Sequence, residues 1–243
     1  MPVERAELAR AQMLDLFPEG FEEVDAADGV ELVAYTDGAG QERFAAVFGS
    51  VTGRDVPDDW HERWRAFHRG VRIGPLWVGP PWEAPDRDAL AVVIDPGRAF
   101  GTGAHPTTRL CLELLADLPR GKLLDVGTGS GVIAIGGAKL GFAPVVGVDL
   151  DPQALVAARE NALVNGVELE LHTLDARNAE LPQAEVAVAN IALDAVEALG
   201  PRLRATLAVT SGYLVSEQPV LDGFRIVERR ERDGWAADLY EAR

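Results

Sequence analysis

From Leu90 onward, short apolar runs alternate with helix-length amphipathic segments, which is the pattern of a doubly wound parallel sheet covered by helices. The runs place strands at 90–94, 122–126, 144–149, 168–172, 185–190, 209–217, 225–229 and 236–240, and helices at 105–117, 130–140, 152–165 and 192–204. Pro152 behind Asp151 suits the first turn of a helix, and Asn165-Gly166 supplies its exit. The stretch 211–224 leaves little chain for a late helix. Ahead of this block, Leu8, Met13, Leu14 and Phe17 predict a helix over 3–17, ended by Pro18 and Gly20. Strands are expected at 29–35 and 44–48, joined by a hairpin turn over 36–40. Trp60, Trp64 and Phe67 share one helical face behind an aspartate cap at Asp58, an aromatic hinge suited to packing between domains. Pro75, Pro80, Pro81 and Pro85 then punctuate an extended linker. The organisation expected is a small α+β unit over 1–57, an aromatic and proline-rich linker over 58–88, and an α/β Rossmann-like domain over 89–243.

Candidate chemistry is concentrated where strand patterns end. Leu123-Leu124-Asp125-Val126-Gly127-Thr128-Gly129-Ser130-Gly131 closes one strand, and Asp149 closes the next, 22 residues after Gly127. Two strands separated by one helix describe a βαβ unit whose ligand sits at the carboxyl ends of its strands. The spacing D-x-G-x-G-x-G differs from the dinucleotide fingerprint G-x-G-x-x-G, and no G-x-x-x-x-G-K-[ST] cradle for a triphosphate occurs. An acid before the turn suits a cation better than a phosphate. S-adenosylmethionine carries a sulfonium and an α-amino group, so Asp125 and the amides of Gly127 and Gly129 are expected to hold its aminoacyl end. Asp149 is expected to face its ribose hydroxyls. A tight strand-to-helix turn with no ligand is the plainer alternative.

The segment 95–108 is too rich in glycine and hydroxyls to be core. It reads as a mobile loop that closes over a cofactor, with Phe100, Thr102 and Thr108 set against the ligand and His105 among them; simple helix capping by Thr107 or Thr108 is the alternative. Asn190 ends the apolar run Val186-Ala187-Val188-Ala189. Its amide can accept a hydrogen bond from an amine nucleophile or contact the cofactor, although asparagine also forms turns. Asn190 is therefore the candidate catalytic residue, with His105 as a proton relay.

Global composition narrows the choices. A net charge of −16 lacks the basic footprint of a nucleic-acid binder and favours a cationic partner. Residues 1–58 hold 13 acids against 4 arginines, a net of −9, which fits a cationic partner or equally a plain solvated acidic surface. No apolar run approaches the roughly 18 residues of a membrane span, and the opening Met1-Pro2-Val3-Glu4-Arg5 has no signal-segment character, which predicts a cytoplasmic location without membrane contact. The single Cys111 excludes an internal disulfide and sits among Leu110, Leu114 and Leu115, so packing is expected of it. His61 and His68 lack acidic or cysteine partners at ligand spacing, and no metal is expected.

Taken together, D-P-G-x-A-F-G-T-G-x-H-P-T-T, L-D-V-G-T-G-S-G, G-V-D-L-D-P and V-A-N-I resemble the bacterial ribosomal protein L11 methyltransferase family. The resemblance runs from about Trp60 to Phe224 and resumes at Gly234-Trp235. It implies a class I methyltransferase fold preceded by a ferredoxin-like domain, which is shorter here. It further implies S-adenosylmethionine-dependent N-methylation of lysine side chains and the α-amino group of a basic ribosomal protein, recognised by the N-terminal domain. By motif position it carries cofactor contact over to Thr108, Gly127, Asp149 and Asn190. A small-molecule amine methyltransferase and an idle cofactor-binding module are the competing classes.

Overall fold

The computed structural model describes residues 9, 12–13, 16, 22–26, 29–34, 36, 38–49, 51–53, 69–95 and 103–243. The chain divides into two units, Met1–Trp60 and His61–Arg243.

In the first unit, β1 (Glu22–Ala26) and β2 (Gly29–Val33) form an antiparallel hairpin, followed by helix α1 (Gly38–Phe48). The expected strand at 44–48 and the turn at 36–40 are therefore corrected: both fall in or beside α1. A five-residue apolar run does not separate the two periods. The choice is made by Phe44 and Phe48, four residues apart, whose rings meet edge to face at 5.0 Å. Both join a small cluster with Ala9, Met13 and Leu32. Of the expected helix over 3–17, Ala9, Gln12, Met13 and Leu16 are helical. The aromatic hinge at Trp60, Trp64 and Phe67, with His61 and His68, lies outside the described residues.

The second unit opens with a three-stranded sheet where the prolines suggest extended chain. Strands β3 (Val71–Ile73) and β4 (Leu76–Gly79) pair antiparallel around a turn holding Gly74 and Pro75, and β5 (Leu90–Val93) pairs parallel with β4. Ile73, Leu76, Val78 and Val92 are fully buried. Contrary to expectation, β5 does not begin the large sheet.

That sheet has seven strands in the order β11-β12-β10-β9-β6-β7-β8. These are β6 (Leu123–Val126), β7 (Val145–Asp149), β8 (Glu170–Thr173), β9 (Val186–Asn190), β10 (Leu207–Leu214), β11 (Phe224–Arg232) and β12 (Trp235–Ala242). Strands β6 to β10 run parallel. Strand β12 is antiparallel to both β10 and β11, so the expected doubly wound sheet is mostly parallel with one reversed strand. The cause is local: Asp233 and Gly234, with φ of 50° and 82°, make the two-residue D-G turn that reverses a strand directly. The link from β10 to β11 contains no helix, as the short 211–224 stretch predicts.

Helices α2 (Pro106–Asp117), α3 (Val132–Leu140) and α4 (Pro152–Asn165) cover one face, contributing Leu110, Ile135 and Ala162 to one core cluster. Helix α5 (Leu193–Leu199) and segment 174–184 pack on the other. Asp151 caps α4 by accepting from the Gln153 amide at 2.8 Å, with Pro152 in the first turn and Gly166 left-handed at the exit. Cys111 is fully buried, and burial pushes its thiol pKa up, so it packs rather than reacts. No helix among the described residues is long and apolar enough to cross a membrane.

Candidate functional site

Strand order reverses between β6 and β9, and an open α/β sheet binds ligands in the crevice at that switch point. The glycine turn stands there. Gly127, Gly129 and Gly131 all have left-handed φ, at 73°, 53° and 81°, a region open to glycine without strain. The amides of Gly127 and Thr128 both donate to the Val148 carbonyl, at 2.8 and 3.0 Å, which folds the turn over β7. A Cβ on Gly127 would lie 2.4 Å from Ile191 Cγ2, so the turn admits only glycine against the end of β9.

Asp149 binds the same turn. Its Oδ2 accepts from the Gly129 amide at 2.8 Å and its Oδ1 from the Asp151 amide at 3.0 Å, while the side chain remains partly exposed. The carboxylate that the sequence places at the strand end is thus present at the mouth, already tied to the glycine cradle. Next to it, the Leu174 amide donates to the Asp149 carbonyl at 2.8 Å and brings the end of β8 to the same edge.

Asp125 is different, and its expected place at the mouth is corrected. It is 1% exposed. Its Oδ2 accepts from the Thr128 hydroxyl at 2.8 Å and the Ala134 amide at 3.1 Å. Desolvation pushes its pKa up to about 6, against the opposing pull of those two hydrogen bonds. The residue braces the glycine turn from below and joins it to the first turns of α3.

Across the crevice, Asn190 at the end of β9 donates from Nδ2 to Thr108 Oγ1 at 3.3 Å. Thr108 is 2% exposed, whereas Asn190 is partly open. His105 caps α2: its Nδ1 meets the Thr107 hydroxyl at 2.8 Å and accepts from the Thr107 amide at 3.4 Å. Burial lowers its pKa, which keeps the ring neutral. The ring also meets that of Trp235, edge to face at 4.9 Å. The structure thus brings Gly127, Gly129, Asp149, Asn190, Thr108 and His105 to the carboxyl edge of the sheet. Phe100 and Thr102 lie outside the described residues.

Three residues carry supporting roles that the sequence reading did not assign. Asn161 Nδ2 donates to the Ser130 carbonyl at 2.9 Å, and its Oδ1 accepts from the Asp95 amide at 3.3 Å. Asn165 accepts from the Val93 amide at 2.8 Å and donates to the Val93 carbonyl at 2.7 Å, standing in for a strand neighbour of β5. Two asparagines four residues apart among Ala157, Ala158 and Ala162 were the legible signal, because polar side chains on a buried stripe need partners. Trp235 is the third. A concavity of about 700 Å³ between α4 and β8, lined in part by Leu163, Val167 and Leu171, lies at the amino ends of the strands, away from these groups.

The model of the family described as ribosomal protein L11 methyltransferase matches residues 16–239. The chain belongs to the ribosomal protein L11 methyltransferase family. It is 43% identical over 201 residues to the L11 methyltransferase of Geobacter metallireducens, covering 76% of this chain and 67% of that protein. With the Geobacter sulfurreducens protein the figures are 41% identity, 87% and 79%; with that of Yersinia pestis they are 46%, 64% and 55%. The chain thus spans between about half and four fifths of the length of these relatives. The crystal structure of a ribosomal protein L11 methylase from Lactobacillus delbrueckii subsp. bulgaricus superposes with a TM-score of 0.66 at 26% identity, over 72% of this chain and all of that one. The match to the L11 methyltransferase family takes in every candidate residue at the carboxyl edge.

Proposed function

We propose that this chain transfers methyl groups from S-adenosylmethionine to lysine and α-amino groups of a basic ribosomal protein of the L11 type. One juxtaposition carries the reading: the Gly127–Asp149 cradle and the Asn190–Thr108 pair face each other across the switch point of a chain in this family. The cradle fits the cofactor. Its backbone lies bare because Gly127 lacks a Cβ, and Gly129 and Asp149 present a polar edge beside it, as expected for a ligand with a cationic end. Gly127, Gly129 and Thr108, together with Phe100 and Thr102 from the preceding loop, would enclose it, and Asp149 would receive its ribose. When bound, it supplies a methyl carbon on a sulfonium.

The chain's own contribution is alignment and exclusion of water. Asn190 spends Nδ2 on Thr108, which leaves Oδ1 as the acceptor for an N–H of a neutral amine. Free lysine, with a pKa near 10.4, loses its proton to water as burial in the site strips its hydration. Held against Asn190 Oδ1, the neutral amine keeps its lone pair free for the methyl group that bound S-adenosylmethionine would supply, and the proton left on the product nitrogen would pass to water. His105 is committed to Thr107 and stays neutral. The His105→Ala variant is accordingly expected to keep the shape of the rate profile between about pH 6 and 9.

The test is transfer of radiolabelled methyl to a ribosomal-protein extract, with Gly127→Arg as control and mass spectrometry of the labelled band. Label on a small basic large-subunit protein, absent in the control, supports the reading. Cofactor binding without protein label would shift the acceptor to a small amine.

A further inference from the structure

Asn190, Ser211 and Ala237 stand side by side in register across β9, β10 and β12, and beyond them the ends of β10 and β12 form the rim of the sheet. A bulge at Gly212, with φ of 107°, then shifts the register so that Tyr213 turns into the α5-side core and Leu214 emerges opposite Trp235. Leu214 is 46% exposed although it adjoins a candidate active site. It lies three residues beyond Ser211, about 10 Å up the strand, comparable with an extended lysine side chain and the backbone carrying it. Trp235 meets His105, the cap of the helix whose Thr108 holds Asn190.

At the rim Glu217 accepts at Oε2 from the Leu214 amide at 2.7 Å, and Arg232, the register partner of Trp235, is neutralised by Glu113 at 2.8 Å. The nearby Arg229 donates to the Glu217 carbonyl at 2.6 Å and is offset by Glu231 and the buried Asp238, at 3.5 and 3.8 Å. An aromatic and aliphatic wall with a carboxylate at its lip matches an unbranched alkyl amine: the rings cover the methylene stem, and the carboxylate draws the ammonium in before it is desolvated. On the reading of this chain as an amine methyltransferase, we propose that Trp235 and Leu214, with His105, form the acceptor subsite that grips the lysine stem and delivers its amine to Asn190.

The full-length chain labelled with 5-fluorotryptophan, its Trp235 resonance assigned by Trp235→Phe, is titrated with Nα-acetyl-lysine methylamide and with the alanine analogue in the presence of S-adenosylhomocysteine. A saturable shift of the Trp235 resonance with the lysine probe alone is expected; no shift overturns the subsite. In kinetics, Trp235→Ala is expected to raise KM for the protein acceptor about tenfold, Trp235→Phe less than about threefold, and both to leave cofactor Kd within about twofold. A changed cofactor Kd with KM intact overturns it too. A lysine-dependent shift in a chain that methylates no amine would sink the methyltransferase reading and keep the subsite. Methylation that is indifferent to Trp235→Ala, without a shift, would do the reverse.

Discussion

Gly127 combines two constraints: a φ of 73° and a neighbour, Ile191, that leaves no room for a Cβ. Left-handed backbone alone costs a non-glycine residue about 1–2 kcal/mol. Gly127→Ala is therefore expected to weaken S-adenosylmethionine binding by about tenfold or more in calorimetry. Ile191→Ala in the same chain should recover only the steric part, because the backbone strain remains. Asp125 makes a pH prediction. Its folded pKa of about 6 lies above the ordinary carboxyl value, so the native state binds the extra proton and stability falls as pH rises from about 4 through about 6. The effect is on the order of 3 kcal/mol at most. In Asp125→Asn, whose amide oxygen still accepts from Thr128 and Ala134, melting curves should lose that component of the pH dependence. The glycines and Asp149 were legible because their spacing relative to two strand patterns is itself the signal. The inward aim of Asp125 was not, because β6 is buried on both faces and alternation says nothing about which way its side chains point.

Among the elements, α4 does more than cover the sheet. Asn165 supplies both hydrogen-bond partners of Val93, and Asn161 links Asp95 to the glycine turn at Ser130. Asn165→Leu strands those backbone groups and is expected to cost about 2 kcal/mol in urea unfolding. Asn161→Ala should cost less stability and weaken cofactor binding, since it frees the turn itself. Elements with long periodic patterns, such as α2 and α4, match their sequence ranges closely: 105–117 against Pro106–Asp117, and 152–165 against Pro152–Asn165. Short ones were decided by context. Residues 44–48 join helix α1 because Phe44 and Phe48 find a common apolar cluster, and β5 pairs with β4 because the edge it meets is that of the small sheet. The Asp233-Gly234 hairpin was readable locally, since its two central residues state the turn.

For the molecule as a whole, charge and domain division point the same way. Much of the −16 net charge lies in residues 1–58, within the unit that ends at Trp60. We propose that this unit selects the basic protein acceptor. A chain starting at His61 is expected to keep S-adenosylmethionine affinity within about threefold and to lose methylation of the ribosomal protein, with residual turnover of a small amine. Salt should weaken protein methylation more than cofactor binding, because long-range attraction between exposed charges is screened. By itself the sequence determined the alternation of strands and helices, the glycine turn with its following acid, and the family, because these reside in local periodicity and fixed spacing. Only the tertiary structure decided that Asn190 meets Thr108 across 82 positions, that Asp125 lies beneath the turn, and that Trp235 reaches His105. Those contacts join residues far apart in the chain, and strand order and the β10 bulge, set by packing over the whole sheet, bring them together.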